Sequence, residues 1–111
     1  MAVTVVSFEE FMNEIKAHEK VVVKLFTDWC GSCRIFRPKF IRMSEDDRFT
    51  GIRFLDINTG LNLEIKKMLT LTHYPSFAIF RNGQHVETLA TTKEDQVAEL
   101  IRKLLGAYEG K

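Results

Sequence analysis

The only two cysteines in the 111-residue chain, Cys30 and Cys33, lie in the run Trp29-Cys30-Gly31-Ser32-Cys33, directly after the apolar stretch Val21 to Phe26. Two thiols at this spacing, where a buried strand gives way to a helix, suit reversible disulfide exchange. The first sulfur sits among the unpaired N–H groups of a helix start, at the positive end of the helix dipole, where thiolate is favoured over thiol. The second lies one turn further in, close enough to displace whatever disulfide the first one forms. Two plainer readings compete with this one. Zinc ribbons also use Cys-x-x-Cys, but a closed structural site takes about four ligands, and no second cysteine pair is present. His18, His73 and His85 stand apart, in no His-x₃-His spacing. A purely structural disulfide across so short a loop would remove little entropy from the unfolded chain and so stabilise little.

Sixteen basic and fifteen acidic side chains leave a net charge of +1, with no dense run of either sign. That balance points away from nucleic acid and from anionic membranes as partners. No apolar stretch approaches the ~20 residues of a membrane-spanning helix. Met1 to Val6 is a short apolar run without a charged leader, and the chain has no cysteine outside the pair. A cytoplasmic, reducing setting is expected on those grounds. The length suits one domain over residues 1–111, large enough to build a core without staples.

The positioning elements read as β-α-β-α-β-α-β-β-α. Val3 to Val6 is a short β-branched strand. Ser7-Phe8-Glu9-Glu10 is a capping box opening a helix to about Ala17, with Phe8, Phe11, Met12 and Ile15 at helical spacing. Val21 to Phe26 reads as a strand covered on both faces, with Lys24 its polar exception. A second helix runs from the cysteine motif toward Glu45, turning Ile35, Phe36, Phe40 and Met43 inward and continuing past a kink at Pro38. Ile52 to Ile57 is a third strand, and Leu61, Ile65, Met68 and Leu69 mark a short core helix. Ser76 to Arg81, Asn82-Gly83 and Gln84 to Ala90 form a hairpin around a type I′ turn. Thr92-x-x-Asp95 then caps a last helix carrying Val97, Leu100, Ile101, Leu104 and Leu105 and ending at Gly106. Fraying is expected only at Glu109 to Lys111.

Trp29-Cys30-Gly31-x-Cys33, Pro38 five residues past the second cysteine, Tyr74-Pro75 before the fourth strand and Phe80-x-Asn82-Gly83 together resemble the thioredoxin family, across nearly the whole chain. The resemblance implies an α/β fold in which a five-stranded mixed sheet, ordered 1-3-2-4-5, is flanked by four helices. Strand 1 would run parallel to strand 3, strand 5 would lie antiparallel at the edge, and the Tyr74-Pro75 bond would be cis. It implies a monomeric thiol–disulfide oxidoreductase that reduces protein disulfides and is recharged by a thioredoxin reductase or another dithiol donor. No bound cofactor or metal is expected, only the Cys30–Cys33 redox disulfide. Cys30 would be the exposed nucleophile and Cys33 the buried resolving thiol. Pro75 would sit against the pair and exclude metal. The Tyr74 backbone would pair with an extended substrate as a strand does, and Trp29 and Gly31 would shape the rim. The alternative for Trp29 is a core aromatic.

Departures from the family pattern carry their own expectations. Ser32 replaces the usual proline, which loosens the turn and adds a hydroxyl near the Cys30 sulfur. Both effects favour thiolate and a more oxidising disulfide. Lys24 stands where the family has a buried acid, and Phe54 where it often has the partner lysine. A lone buried ammonium is costly. Lys24 must therefore pair, with Asp56 on the neighbouring strand the best candidate, or reach water along its stem. Tyr74 resembles the disulfide isomerase domains, while Ala90 and Thr91 replace a groove glycine. A more oxidising isomerase or oxidase module, and a binding subunit with little turnover, are the alternatives to the reductase.

Overall fold

The computed structural model describes residues 3–105. In chain order its elements are β1 (Val3–Val5), α1 (Phe8–Ala17), β2 (Lys20–Phe26), α2 (Gly31–Ser44), a 3-10 turn (Asp47–Phe49), β3 (Arg53–Asn58), α3 (Leu63–Leu69), β4 (Ser76–Arg81), β5 (Gln84–Ala90) and α4 (Glu94–Arg102). The strands form one mixed sheet, β1-β3-β2-β4-β5. β1 and β2 flank β3 in parallel, and β4 runs antiparallel to β2 and to the edge strand β5. Order and directions are those the resemblance implied.

Local chemistry sets the element ends. Ser7 Oγ accepts the Glu10 N–H at 3.1 Å while Glu10 Oε1 accepts the Ser7 N–H at 2.8 Å, which closes the capping box of α1. Asn82 and Gly83 adopt φ of 52° and 80°, the positive pair a type I′ turn requires. α2 runs unbroken through Pro38.

Alternation along the strands builds two cores. Val22, Phe54, Phe77 and Ile79 meet Phe36, Phe40 and Met43 of α2 and Val97 and Ile101 of α4. Val21, Val23, Leu55, Ile57 and Phe80 meet Phe11 and Ile15 of α1 and Ile65 of α3 on the opposite face. β2 is therefore buried on both sides. Lys24, two residues after Val22, shares the α2 face, and the parallel register sets Asp56 directly beside it.

Four expectations from the sequence are corrected. Ile35 points to solvent at 67% exposure, because the packed stripe of α2 is Cys33, Phe36, Phe40 and Met43 and Ile35 falls outside it. Leu61 precedes α3 and is exposed, as is Met68, so Ile65 is the residue by which that helix enters the core. Thr92 does not cap α4: Lys93 is the N-cap, and its N–H goes to Thr91 Oγ1 at 3.0 Å. Finally, α4 ends at Arg102, although Leu104 beyond it is fully buried. Gly106 and Glu109 to Lys111 lie outside the described residues.

Candidate active site

β2 ends at Phe26, and Phe26 O accepts the Thr59 N–H at 2.8 Å, so the strand end is pinned to the loop after β3. The chain then turns, with the Cys30 N–H donated to Thr27 O at 3.3 Å, and enters α2. Cys30 is the helix N-cap, and its Sγ accepts the Cys33 N–H at 3.1 Å. This places sulfur where the helix end carries uncompensated donors and partial positive charge. Cys30 and Cys33 form a disulfide with Cα atoms 5.3 Å apart. Ser32 Oγ lies 3.6 Å from Cys30 Sγ, within reach of a hydrogen bond to sulfur.

Cys30, expected to be exposed, is only 6% exposed, against 3% for Cys33. Bonded to a buried partner and turned onto the helix end, its sulfur presents little more than an edge to solvent. Trp29 is 77% exposed, which excludes the core reading, and meets Tyr74 edge to face with ring centroids 5.8 Å apart. That contact joins the cysteine loop to the loop bearing the cis Tyr74-Pro75 bond. Tyr74, Pro75, Ala90 and Thr91 line one shared groove, together with His73 and Lys93. The Thr91 N–H is donated to Pro75 O at 3.3 Å, which ties the two loops of the groove together. At Gly31 a side-chain carbon would meet nothing within 4 Å, so the rim there is open.

A separate cleft of about 130 Å³ is lined by both cysteines, Lys24, Phe26, Thr27, Asp28, Arg34, Arg37 and Asp56. Lys24 and Asp56 are 2% and 3% exposed, so the lysine does not reach water along its stem. Its Nζ stands 3.5 Å from Asp56 Oδ1, an ion pair longer than a good hydrogen bond, and 5.1 Å from the centre of the Phe26 ring. Burial pushes the Lys24 ammonium down in pKa, with Asp56 opposing. Burial likewise pushes the Asp56 carboxyl up, against Lys24 and more weakly Arg37. Asp56 Oδ1 and Thr27 Oγ1 are both buried without a hydrogen bond. Asp28 is engaged, accepting from Asn58 Nδ2 at 2.9 Å. Phe54, in the place of a partner lysine, instead packs 5.2 Å from the Phe40 ring.

The structure thus brings Lys24, Asp56 and both cysteines to one cleft, and Tyr74, Pro75, Ala90 and Thr91 to one groove. The sequence reading missed Arg34 and Arg37, which stand one and four residues after Cys33. The i,i+4 spacing of Arg34 from Cys30 and of Arg37 from Cys33 was the signal that would have found them.

A disulfide closed across the N-terminus of a helix, beside a cis-proline loop and a buried ion pair, defines a dithiol–disulfide exchange protein. The chain belongs to the thioredoxin family, whose model matches residues 2–103, and it is a thiol–disulfide oxidoreductase. It is 29% identical to thioredoxin 1 of Plasmodium falciparum, an alignment covering 93% of this chain and 97% of that one. It is 31% identical over 85% of its length to a Caenorhabditis briggsae peptide-N(4)-(N-acetyl-beta-glucosaminyl)asparagine amidase, of which it spans only 15%. Spinach chloroplast thioredoxin F in its short form superposes with a TM-score of 0.85 at 28% identity, covering 93% of each chain.

Proposed function

We propose that the chain reduces protein disulfides, with Cys30 attacking and Cys33 resolving, and that a thioredoxin reductase drawing on NADPH returns the electrons. In the reduced form the Cys30 thiolate attacks one sulfur of the substrate disulfide. A Cys30–substrate disulfide forms, and the other substrate sulfur leaves as a thiolate that takes up a proton. The Cys33 thiolate then attacks Cys30 Sγ, the mixed disulfide breaks, and the second substrate thiol departs. Two electrons have passed to the substrate, and Cys30–Cys33 is closed. The observation that carries this reading is the Cys30 sulfur at the α2 N-terminus, accepting the Cys33 N–H. A chain without cysteines beyond the pair suits a reducing compartment, and the cytoplasm is proposed as its location.

With NADPH and a thioredoxin reductase, the chain is expected to drive NADPH consumption in proportion to added insulin disulfide. No consumption, with fast oxidation of a reduced peptide dithiol instead, would select the oxidase or isomerase reading. That second reading is favoured by one observation, the Ser32 hydroxyl beside Cys30 Sγ. A donor there stabilises thiolate and hence the reduced form.

The redox poise follows from the same contact. Equilibration against glutathione should place the potential between roughly −270 mV, the thioredoxin value, and roughly −180 mV, the disulfide isomerase value. Ser32→Pro should move it negative by removing the hydroxyl and stiffening the turn. A potential at or below the thioredoxin value, unmoved by that substitution, would reject the role of Ser32.

A further inference from the structure

α2 carries four cations, Arg34, Arg37, Lys39 and Arg42, and no acid between Gly31 and Ser44, in a chain whose net charge is only +1. The arginines elsewhere all have carboxylate partners: Arg48 pairs with Asp46, Arg53 with Glu14, Arg81 with Glu19 and Arg102 with Glu99. Among the described residues, Arg34 and Arg37 have none, and both are exposed along the cleft that also holds Cys30 and Cys33. Of the two carboxylates in that cleft, Asp56 is paired with Lys24, while the exposed Asp28 accepts from the Asn58 amide and keeps its charge, so two exposed arginines face one exposed acid. In the groove beside Tyr74 and Pro75, the only charged side chain of the lining is Lys93, with no acid. Resting on the reductase reading above, we propose that this surface selects protein substrates whose disulfide cysteine is flanked by acidic residues, held by Arg34 and Arg37.

The geometry sets where those acids lie. Arg34 and Arg37 stand one and two turns beyond Cys30, about 6 and 10 Å along the helix axis at ~1.5 Å per residue. An extended substrate advances ~3.3 Å per residue, so the matching Asp or Glu lies about two to three residues from the substrate cysteine. Guanidinium groups with free forks suit carboxylates in a bidentate grip. An exposed pair of this kind is worth roughly two- to fivefold in affinity, so two of them give roughly tenfold. The helix end adds to the same positive field and speeds encounter with an acidic partner.

The test uses three disulfide peptides of one sequence, carrying Glu, Gln or Lys at the second and third positions from the cysteine. Rates of reduction by the reduced protein are each divided by the rate with dithiothreitol, which removes the intrinsic effect of the flanking charge on the disulfide. The expected order is Glu above Gln above Lys, with a Glu-to-Gln ratio of roughly tenfold that collapses between about 0.02 and 0.5 M salt. Arg34→Gln/Arg37→Gln should bring the ratio close to one, and Arg34→Lys/Arg37→Lys should retain part of it. Equal normalised rates for the three peptides, or a ratio unchanged in the double Gln variant, would overturn the proposal. Failure to reduce any of the peptides would instead overturn the reductase reading, and this one with it.

Discussion

A Cys33→Ser chain is expected to accumulate mixed disulfides through Cys30, while a Cys30→Ser chain accumulates few. The asymmetry comes from placement and not from the thiols themselves. Cys30 Sγ caps α2, where unpaired N–H groups and the helix dipole favour its thiolate. Cys33 is one turn inside the helix at 3% exposure, packed in the same stripe as Phe36 and Phe40. Reaching a macromolecular disulfide from there would require α2 to open. With Cys33 gone, the first step still occurs, but the covalent intermediate has no internal thiol to release it. With Cys30 gone, the first step itself is lost. Turnover of insulin disulfide should fall to background in both variants, so gel shift and mass spectrometry of trapped adducts are the discriminating readouts. Equal trapping by the two variants would sink the assignment.

Lys24→Met is expected to cost about 3–5 kcal/mol at neutral pH, since it leaves Asp56 as a buried carboxylate without its counter-charge. Asp56 is already pushed up by burial, with Lys24 the main opposing influence. Between the ordinary carboxylate range and that raised value, the folded chain holds more protons than the unfolded one. Stability therefore falls as pH rises through that window. Removing Lys24 lifts Asp56 further and widens the window, so the deficit of Lys24→Met should shrink toward acid pH, where Asp56 is neutral. Lys24 itself is pushed down by burial, and between its lowered value and the ordinary lysine range the unfolded chain holds more protons. Wild-type stability should thus rise with pH on the alkaline side, a gain that Lys24→Met lacks. Lys24→Met/Asp56→Asn removes both charges and should recover most of the loss, which urea melts at several pH values would measure.

The same substitution tests whether the pair serves the chemistry. Lys24 shares the cleft with Cys33, and an ammonium there stabilises the resolving thiolate. Lys24→Met should slow release of the mixed disulfide by roughly three- to tenfold, with much less effect on the first attack by Cys30. Stopped-flow separation of the two steps decides this. Unchanged resolution kinetics would confine Lys24 to balancing Asp56.

Much of the site was legible because its signals are local. The Cys-x-x-Cys spacing, the capping box at Ser7 and Glu10 and the Asn82-Gly83 turn each act within four residues, and the backbone answers to such short-range preferences directly. Where the reading failed, the deciding contact was distant or the face ambiguous. Ile35 and Phe36 are adjacent apolar residues at the start of one helix, and only the direction from which the sheet approaches selects Phe36 for burial. The Thr92 cap failed because the Thr91 hydroxyl, which bonds Gln96, takes the Lys93 N–H and shifts the helix start.

By itself, the sequence determined the strand and helix order, the redox pair and the family to which these belong, since periodicity and motif spacing are properties of the chain. Only the tertiary structure decided the fate of Lys24. A lysine in an apolar strand is compatible with pairing or with reaching solvent. The parallel register that sets Lys24 beside Asp56, under α2, leaves the lysine 2% exposed with the Asp56 carboxylate as its ion-pair partner. The acid-free surface of α2 likewise became meaningful only once packing had matched the arginines outside α2 with carboxylates and left Arg34 and Arg37 beside the disulfide without one. Charge pairing depends on distances between elements remote in sequence, and those distances exist only in the folded chain.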